Sequence, residues 1–413
     1  MQFVISLCVF LLQCSLLKLF TPHLFALYSF LYSTSTLLGQ LASLGADGRL
    51  YSELIHNPKI EVTFRDLFSF APRSLLLFVS CLLFSCFHSA LLGGLPGIVF
   101  IASALAIQPL LSNIVSIALA KSYFYVADIV TLLPAISRFA AIMPVVLLAE
   151  AYDQQIRIFQ LYLLASALFY IAIGLYCFKI IMAMPLGCGN YSLPRPTGKP
   201  AETLYFAIST ISALLPSSLV LPLVLFAKSK IMRDYAPSLA LAMMIASFLL
   251  SLSQQYWLRL HMTEIAQNIV LAGGQILVVP RFSRPIANVA FMAASIIVLI
   301  IFLLPSFLVG EGVLNGYRYF QACLAYVSIY IVFSAILCPF ALIYNRISDA
   351  CSRAKFQALA STSAIIVQVT AANLNNLFLM CIGLSIYPIV LLCFLNSRLF
   401  KAKAMSRGSV GLI

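Results

Sequence analysis

The chain reads as an all-α polytopic membrane protein with about twelve transmembrane helices in two pseudo-symmetric six-helix lobes. Three observations predict this. Of the 413 residues, 62% are hydrophobic and only 9% are charged, and the mean hydropathy is +1.04. Soluble domains run at about one-quarter charged, so a soluble globular enzyme, a disordered chain and a fibrous protein are all excluded. Charge and turn breaks also cut the apolar residues into runs of membrane-crossing length, without the short alternation of barrel strands. Finally, the basic residues between the runs sort to one side.

In chain order the runs are 2–17, 24–43, 74–92, 97–120, 127–149, 158–178, 204–226, 236–257, 285–308, 319–343, 356–373 and 377–396. Twelve spans of about 20 residues would use about 240, leaving short loops and no room for a soluble domain. The first run contains Leu11-Leu12-Gln13-Cys14, faintly like a lipoprotein cleavage site. Gln13 is too large for the position before such a cysteine, and no basic segment precedes the run. It is expected to be a short, uncleaved first span. Residues 182–203, with Pro185, Pro194, Pro196 and Pro200, read as a cytoplasmic linker. Lobes of 1–181 and 204–397 flank it, and 398–413 form a cytoplasmic tail. Long inner loops follow the second and eighth runs (44–73 and 258–284), and Tyr28 and Tyr235 stand half a chain apart. Repeated halves are a transporter signature.

The net charge is +13, from 25 Lys+Arg against 12 Asp+Glu. With the amino terminus inside, eighteen of the 25 basic residues fall on inner segments and six on outer ones, and Arg138 stays within a span. This split predicts that both termini are cytoplasmic, and topology accounts for the charge without any nucleic acid partner. The 11 cysteines include no CxxC pair and mostly lie in apolar runs. They read as small apolar residues, with no metal expected.

Several spans carry polar stripes at helical spacing. Ser29, Ser33, Thr36, Gln40 and Ser43 share one face of the second. Ser247, Ser251 and Gln254 do so in the eighth, and Gln357, Ser361, Gln368 and Asn375 in the eleventh, with Ala364 and Ala371. Such stripes serve either as helix–helix glue or as the wall of a hydrated cavity. Three stripes together point to the cavity, with Gln40, Gln254 and Gln368 as candidate substrate-binding groups.

Arg138 lies near the middle of the fifth span between Pro134 and Pro144. A central arginine costs about 3 kcal/mol to insert, so it should face a cavity or a partner. It is either a structural group bonded to carbonyls freed by the prolines or an anion-binding group. No acidic residue lies within four positions, and Asp128 is ten residues earlier. Lys228, Lys230, Arg233 and Asp234 form an outward cluster between the seventh and eighth spans. The cluster is either a solvated loop or a contact for anionic headgroups or product. Asp128 and Asp234 are the candidates for ion coupling. His88 either relays protons or is a satisfied buried histidine.

Walker, HExxH, GxSxG and aspartate-rich metal motifs are absent. The reading is therefore a transporter, not an enzyme, without a cofactor.

The stretch from Leu19 to Phe30, with Thr21-Pro22 and Phe25-Ala26-Leu27-Tyr28-Ser29, resembles the start of the second span in Wzx-type polysaccharide (O-antigen) flippases. That family shows a Leu-Gly-Pro turn followed by Phe-Gly-Leu-Tyr-Ser. Here Thr21 and Ala26 replace the glycines. Leu41-Ala42-Ser43-Leu44-Gly45 is similar to the family's Leu-Gly at the inner end of the span, and Asp234 to Ala240 to its motif at span eight. The family sits in the multidrug/oligosaccharidyl-lipid/polysaccharide exporter superfamily. The resemblance implies two six-helix lobes around a central, often basic cavity. It also implies movement of an undecaprenyl-pyrophosphate-linked oligosaccharide across a bacterial inner membrane, for polysaccharide biosynthesis. Membrane lipid and the polysaccharide polymerase and chain-length machinery are the implied partners. Two alternatives stay open. An O-antigen-type polymerase should carry a long outer loop, but the longest outer connection here is about nine residues. A drug exporter of the same superfamily should carry more acidic residues in its spans.

Overall fold

The computed structural model describes residues 2–43, 45–47, 50, 54, 67–88, 94–120, 123–149, 155–183, 200–251, 290, 294, 317–347 and 350–409. The ninth run apart from Ala290 and Ala294, most of the two inner loops, Gln254, and residues 184–199 of the expected linker lie outside them. The chain divides into two compact units, Met1–Leu214 and Leu215–Ile413.

The first unit holds α1 (Gln2–Leu19), α2 (Pro22–Ser43), α3 (Ala71–His88), α4 (Leu95–Ala120), α5 (Phe124–Ala140), α6 (Ile142–Ala149), α7 (Gln155–Ala183) and the start of α8 (Pro200–Leu225). Pro22 opens α2 where a helix leaves its N–H groups unpaired, a position that suits proline. α4 is the hub, packing against α2, α3, α5 and α7. Its buried side chains include Ile107, Leu111, Ile114 and Ile117. Pro109 lies inside α4 and cannot donate to the Leu105 carbonyl. Ser74 of α3 does so instead, its Oγ 2.8 Å from that oxygen. The proline therefore creates a tie between two helices.

The fifth apolar run forms two helices. Ala141 separates α5 from α6 at φ −66° and ψ −18°. Pro144 lacks the N–H that would bond Ala140, and its ring crowds that carbonyl. As the third residue of α6, in its first turn, it is tolerated. Pro134 stays inside α5.

The second unit holds the rest of α8, α9 (Lys230–Asp234), α10 (Ala236–Ser251), α11 (Phe320–Ile347), α12 (Ala350–Asn373) and α13 (Leu377–Ser409). Leu337, Ala360, Ala364, Tyr387, Leu391 and Leu395 form a core among α11, α12 and α13. The turn between α12 and α13 is built from asparagines. Asn375 takes the left-handed region at φ 54°, which asparagine tolerates better than most residues. The Asn376 N–H bonds the Ala371 carbonyl at 3.0 Å, and its Oδ1 accepts the Leu379 N–H at 3.0 Å, capping α13. Ser238 Oγ on α10 accepts the Tyr319 N–H at 3.2 Å, tying α10 to the start of α11.

Among the described residues, six helices are long and apolar enough to cross a membrane, and Phe10–Leu19, Ala71–Leu83 and Ala236–Ser251 are shorter apolar helices. Large apolar side chains such as Leu76, Leu147 and Leu168 are exposed, as lipid-facing residues are. The helices follow the predicted runs closely. The main differences are the break at Ala141, the start of α8 at Pro200 inside the expected linker, the short α9 in the expected loop before the eighth run, and the continuation of α13 to Ser409 through most of the expected tail.

Candidate functional site

Arg138 occupies the last turn of α5, just before the break at Ala141. Carbonyls left unpaired at a helix C-terminus favour a cation there. The Arg138 guanidinium carbon lies over the Tyr32 ring of α2, 4.3 Å from its centroid. The π face of a tyrosine attracts a cation, by about 2 kcal/mol or more where water is excluded. The Tyr28 and Tyr32 hydroxyls are within hydrogen-bonding reach of the guanidinium. Among the described residues, the groups that bear on it electrostatically are Tyr32, Tyr28 and Tyr170.

An aromatic shell holds these tyrosines. Tyr28 and Tyr32, one helical turn apart, stack at 6.2 Å. Tyr162 of α7 meets Tyr28 edge-on at 5.6 Å and Phe20 at 5.5 Å. Such pairs add roughly 1 kcal/mol each beyond area burial and fix the face that α2 turns to α5.

Beside the guanidinium is a cavity of about 10 Å³, lined by Ser35, Phe100, Ser103, Ala104, Gln108, Arg138, Ser166 and Tyr170. This is room for a single water-sized particle. Ser35 Oγ donates to the Tyr32 carbonyl and Ser103 Oγ to the Phe100 carbonyl, each at 2.8 Å, so neither hydroxyl donates into the cavity. Ser166 is 1% exposed, with its hydroxyl in hydrogen-bonding reach of the Tyr162 hydroxyl. Gly39 admits Gln108, since an added Cβ would lie 2.8 Å from the Gln108 amide carbon.

The other described candidate residues do not line this cavity. Gln40 is partly buried near the end of α2, where its carbonyl accepts Ser43 Oγ at 2.9 Å. The stripe hydroxyls of Ser29, Ser33 and Thr36 turn back onto carbonyls of their own helix. In the second unit Gln368 is fully buried, and its Nε2 donates to the Pro216 carbonyl of α8 at 3.0 Å. Gln357, Ser361, Ala364 and Ala371 of the same stripe are buried too, so this face packs against helices of its own unit. Asn375 sits exposed in the turn. Lys228, Lys230, Arg233 and Asp234 are all exposed around α9. Asp128 is partly buried in α5. No group of three metal-ligating side chains occurs among the described residues.

The composition patterns did not bring out Tyr32, Tyr170, Ser166 or Gln108. The legible signal was the repeat Tyr28…Tyr32 on α2, one helical turn apart. Arg138 gave no sign of which helix would face it.

No family model matches the chain, and no curated protein matches it. Solved structures do. An inward-facing conformation of a multidrug resistance MATE family transporter of the MOP superfamily aligns with TM-score 0.67 and 12% identity, over 98% of this chain and 96% of that one. The chain has the fold of a MOP superfamily transporter. An outward-facing conformation of such a MATE transporter aligns at TM-score 0.58 and 12% identity, over 98% and 94%. A MOP superfamily transporter from Pyrococcus furiosus aligns at 0.56 and 13%, over 97% and 94%. The predicted fold class, about twelve transmembrane helices in two lobes, is the architecture of these transporters.

Proposed function

We propose that the chain is an alternating-access flippase for an anionic lipid-linked oligosaccharide, as the sequence resemblance implies. The substrate would be an undecaprenyl-pyrophosphate-linked unit, crossing a bacterial inner membrane for O-antigen or other polysaccharide assembly. Both termini would be cytoplasmic, and the polymerase and chain-length machinery would act downstream. Support for alternating access comes from the fold, which inward- and outward-facing transporters share. The observation that carries the substrate class is Arg138, a mid-span cation with aromatic and hydroxyl neighbours and, among the described residues, no carboxylate bearing on it. A pyrophosphate cannot enter hydrocarbon unaided, and a positive site at mid-membrane lowers that barrier. The Pyrococcus furiosus transporter is described as having a reverse polarity of its binding pocket that suggests a different function. A cation in place of an acid would be a change of that kind here. The cavity now beside Arg138 is smaller than a pyrophosphate, so direct contact requires α5 to move against α2. The break at Ala141 is a place where α5 could turn.

Drug export is the second reading, because two neighbours are multidrug resistance transporters. Both readings are tested in a flippase-null cell that also lacks its drug exporters. Wild type should restore surface polysaccharide and leave drug susceptibility unchanged. Arg138→Ala should abolish restoration at normal membrane levels, since removing the cation relieves about 3 kcal/mol of insertion cost. Arg138→Lys, which keeps the charge but loses the planar fork, should restore part. Drug resistance without polysaccharide would establish the exporter instead.

A further inference from the structure

We propose that one end of the second unit is a docking surface for anionic phospholipid headgroups, built from Lys228, Lys230, Arg233 and Arg318. The juxtaposition that carries this is four exposed cations beside exposed apolar side chains, all at the ends of apolar helices.

Three of the cations flank or belong to α9, and the fourth comes just before α11. The fold brings them to one end. The Tyr235 and Tyr319 rings meet at 4.4 Å, and the Tyr319 N–H donates to Ser238 Oγ on α10. Arg318 precedes Tyr319, and its guanidinium carbon lies 5.7 Å from that ring's centroid. Met232 is fully buried and anchors α9, while Lys230, Ile231 and Arg233 around it stay exposed.

Depth and charge select the partner. The apolar stretch of α8 ends at Leu225, α10 begins at Ala236, and the apolar stretch of α11 begins at Phe320. Each cation therefore stands within a few residues of a hydrocarbon boundary, at the level of lipid phosphates. Phe226 and Ile231, 42% and 64% exposed, stand among the lysines. A loop solvated on all sides gains nothing from such side chains. At a bilayer surface they enter the acyl region while the basic heads stay at the phosphates. In sequence the two connections, 226–235 and 309–319, hold four cations against two acids, Asp234 and Glu311. With both acids ionised the connections remain net positive, which suits a phosphate diester and disfavours a cationic partner. This surface does not rest on the flippase reading above.

The test uses purified full-length protein without any transport substrate. Phosphatidylglycerol added in detergent at low ionic strength should raise the thermal midpoint saturably, well beyond phosphatidylcholine. Neutralising one cation, as in Arg318→Gln or Lys230→Gln, should weaken apparent binding by about fivefold, the worth of one basic residue at an anionic surface. Asp234→Asn should strengthen it. Phosphatidylglycerol with a photoreactive headgroup should cross-link the wild type within 226–235 and 317–319, which keeps the question decidable if a variant fails to fold. An equal response to the two lipids, unchanged binding in all three variants, or cross-links confined to other segments would overturn the surface. An equal response to inorganic pyrophosphate would also overturn it, making the cluster a site for free phosphate groups. Arg138 takes no part in this surface, so failure here leaves the polysaccharide complementation untouched, and failure of complementation leaves the lipid surface standing.

Discussion

Two polar side chains, the fully buried Gln368 and the partly buried Arg138, one in each unit, show what separates a structural tie from a candidate site. Gln368 in the second unit is packed on every side. Its amide holds the Pro216 carbonyl at 3.0 Å, and Gly383 is pressed against its aliphatic stem. Arg138 in the first unit lies over the Tyr32 ring, within reach of the Tyr28 and Tyr32 hydroxyls, and borders a small cavity. From the sequence the two looked alike, as polar residues at mid-span. The difference lies in charge and room. A neutral amide that reaches a backbone carbonyl through close packing works as helix–helix glue. A charge with only partial compensation beside an empty space invites a ligand.

The tight side of this comparison can be broken by size. A Cβ added at Gly383 would lie 2.7 Å from Gln368 Cγ, 3.2 Å from its backbone nitrogen and 3.4 Å from the Ala364 carbonyl oxygen. Backbone atoms of α12 cannot step aside, so Gly383→Val should cost about 3 kcal/mol, at the upper end for overpacking. It should lower the thermal midpoint and the yield of folded protein. An unchanged midpoint would mean that α12 and α13 are not in close contact there. The loose side is tested by chemistry. Tyr32→Leu removes the ring beneath the guanidinium and should destabilise the protein by about 2 kcal/mol. Tyr32→Phe keeps the ring and should cost less than half of that. If the two variants unfold at the same temperature, the ring is not what holds Arg138.

The spans were legible because each one is a length-matched apolar run, a property of the local sequence alone. Segments such as 24–43 and 236–257 were placed almost to the residue where the described helices allow comparison. The break at Ala141 was only half legible. Both prolines of that span are plain in the sequence, yet one is absorbed inside α5 and the other ends it. Which of them breaks the helix depends on packing around each, and this is not written locally. The asparagine turn at 373–376 is likewise visible as a cluster of turn formers, but its division between a left-handed residue and a cap is not. Arg138 stood out because a charge at mid-span is rare and costly. Its partners did not, since Tyr32, Ser166 and Tyr170 come from α2 and α7, far away in sequence. No single-chain pattern states which helix faces which. Polar stripes are the ambiguous case: the same spacing in α2 and α12 gives hydroxyls turned back onto their own helix in one, and a buried packing face in the other.

The central claim is that this chain moves an anionic, sugar-bearing lipid and that Arg138 makes the passage possible. The most direct measurement reconstitutes purified protein in proteoliposomes carrying a short lipid-linked oligosaccharide. Transbilayer movement is then followed by access of an external sugar-modifying enzyme. The wild type should expose the internal pool, Arg138→Lys a reduced share, and Arg138→Ala no more than protein-free vesicles. Equal movement by wild type and Arg138→Ala, at matched protein incorporation, would contradict the account.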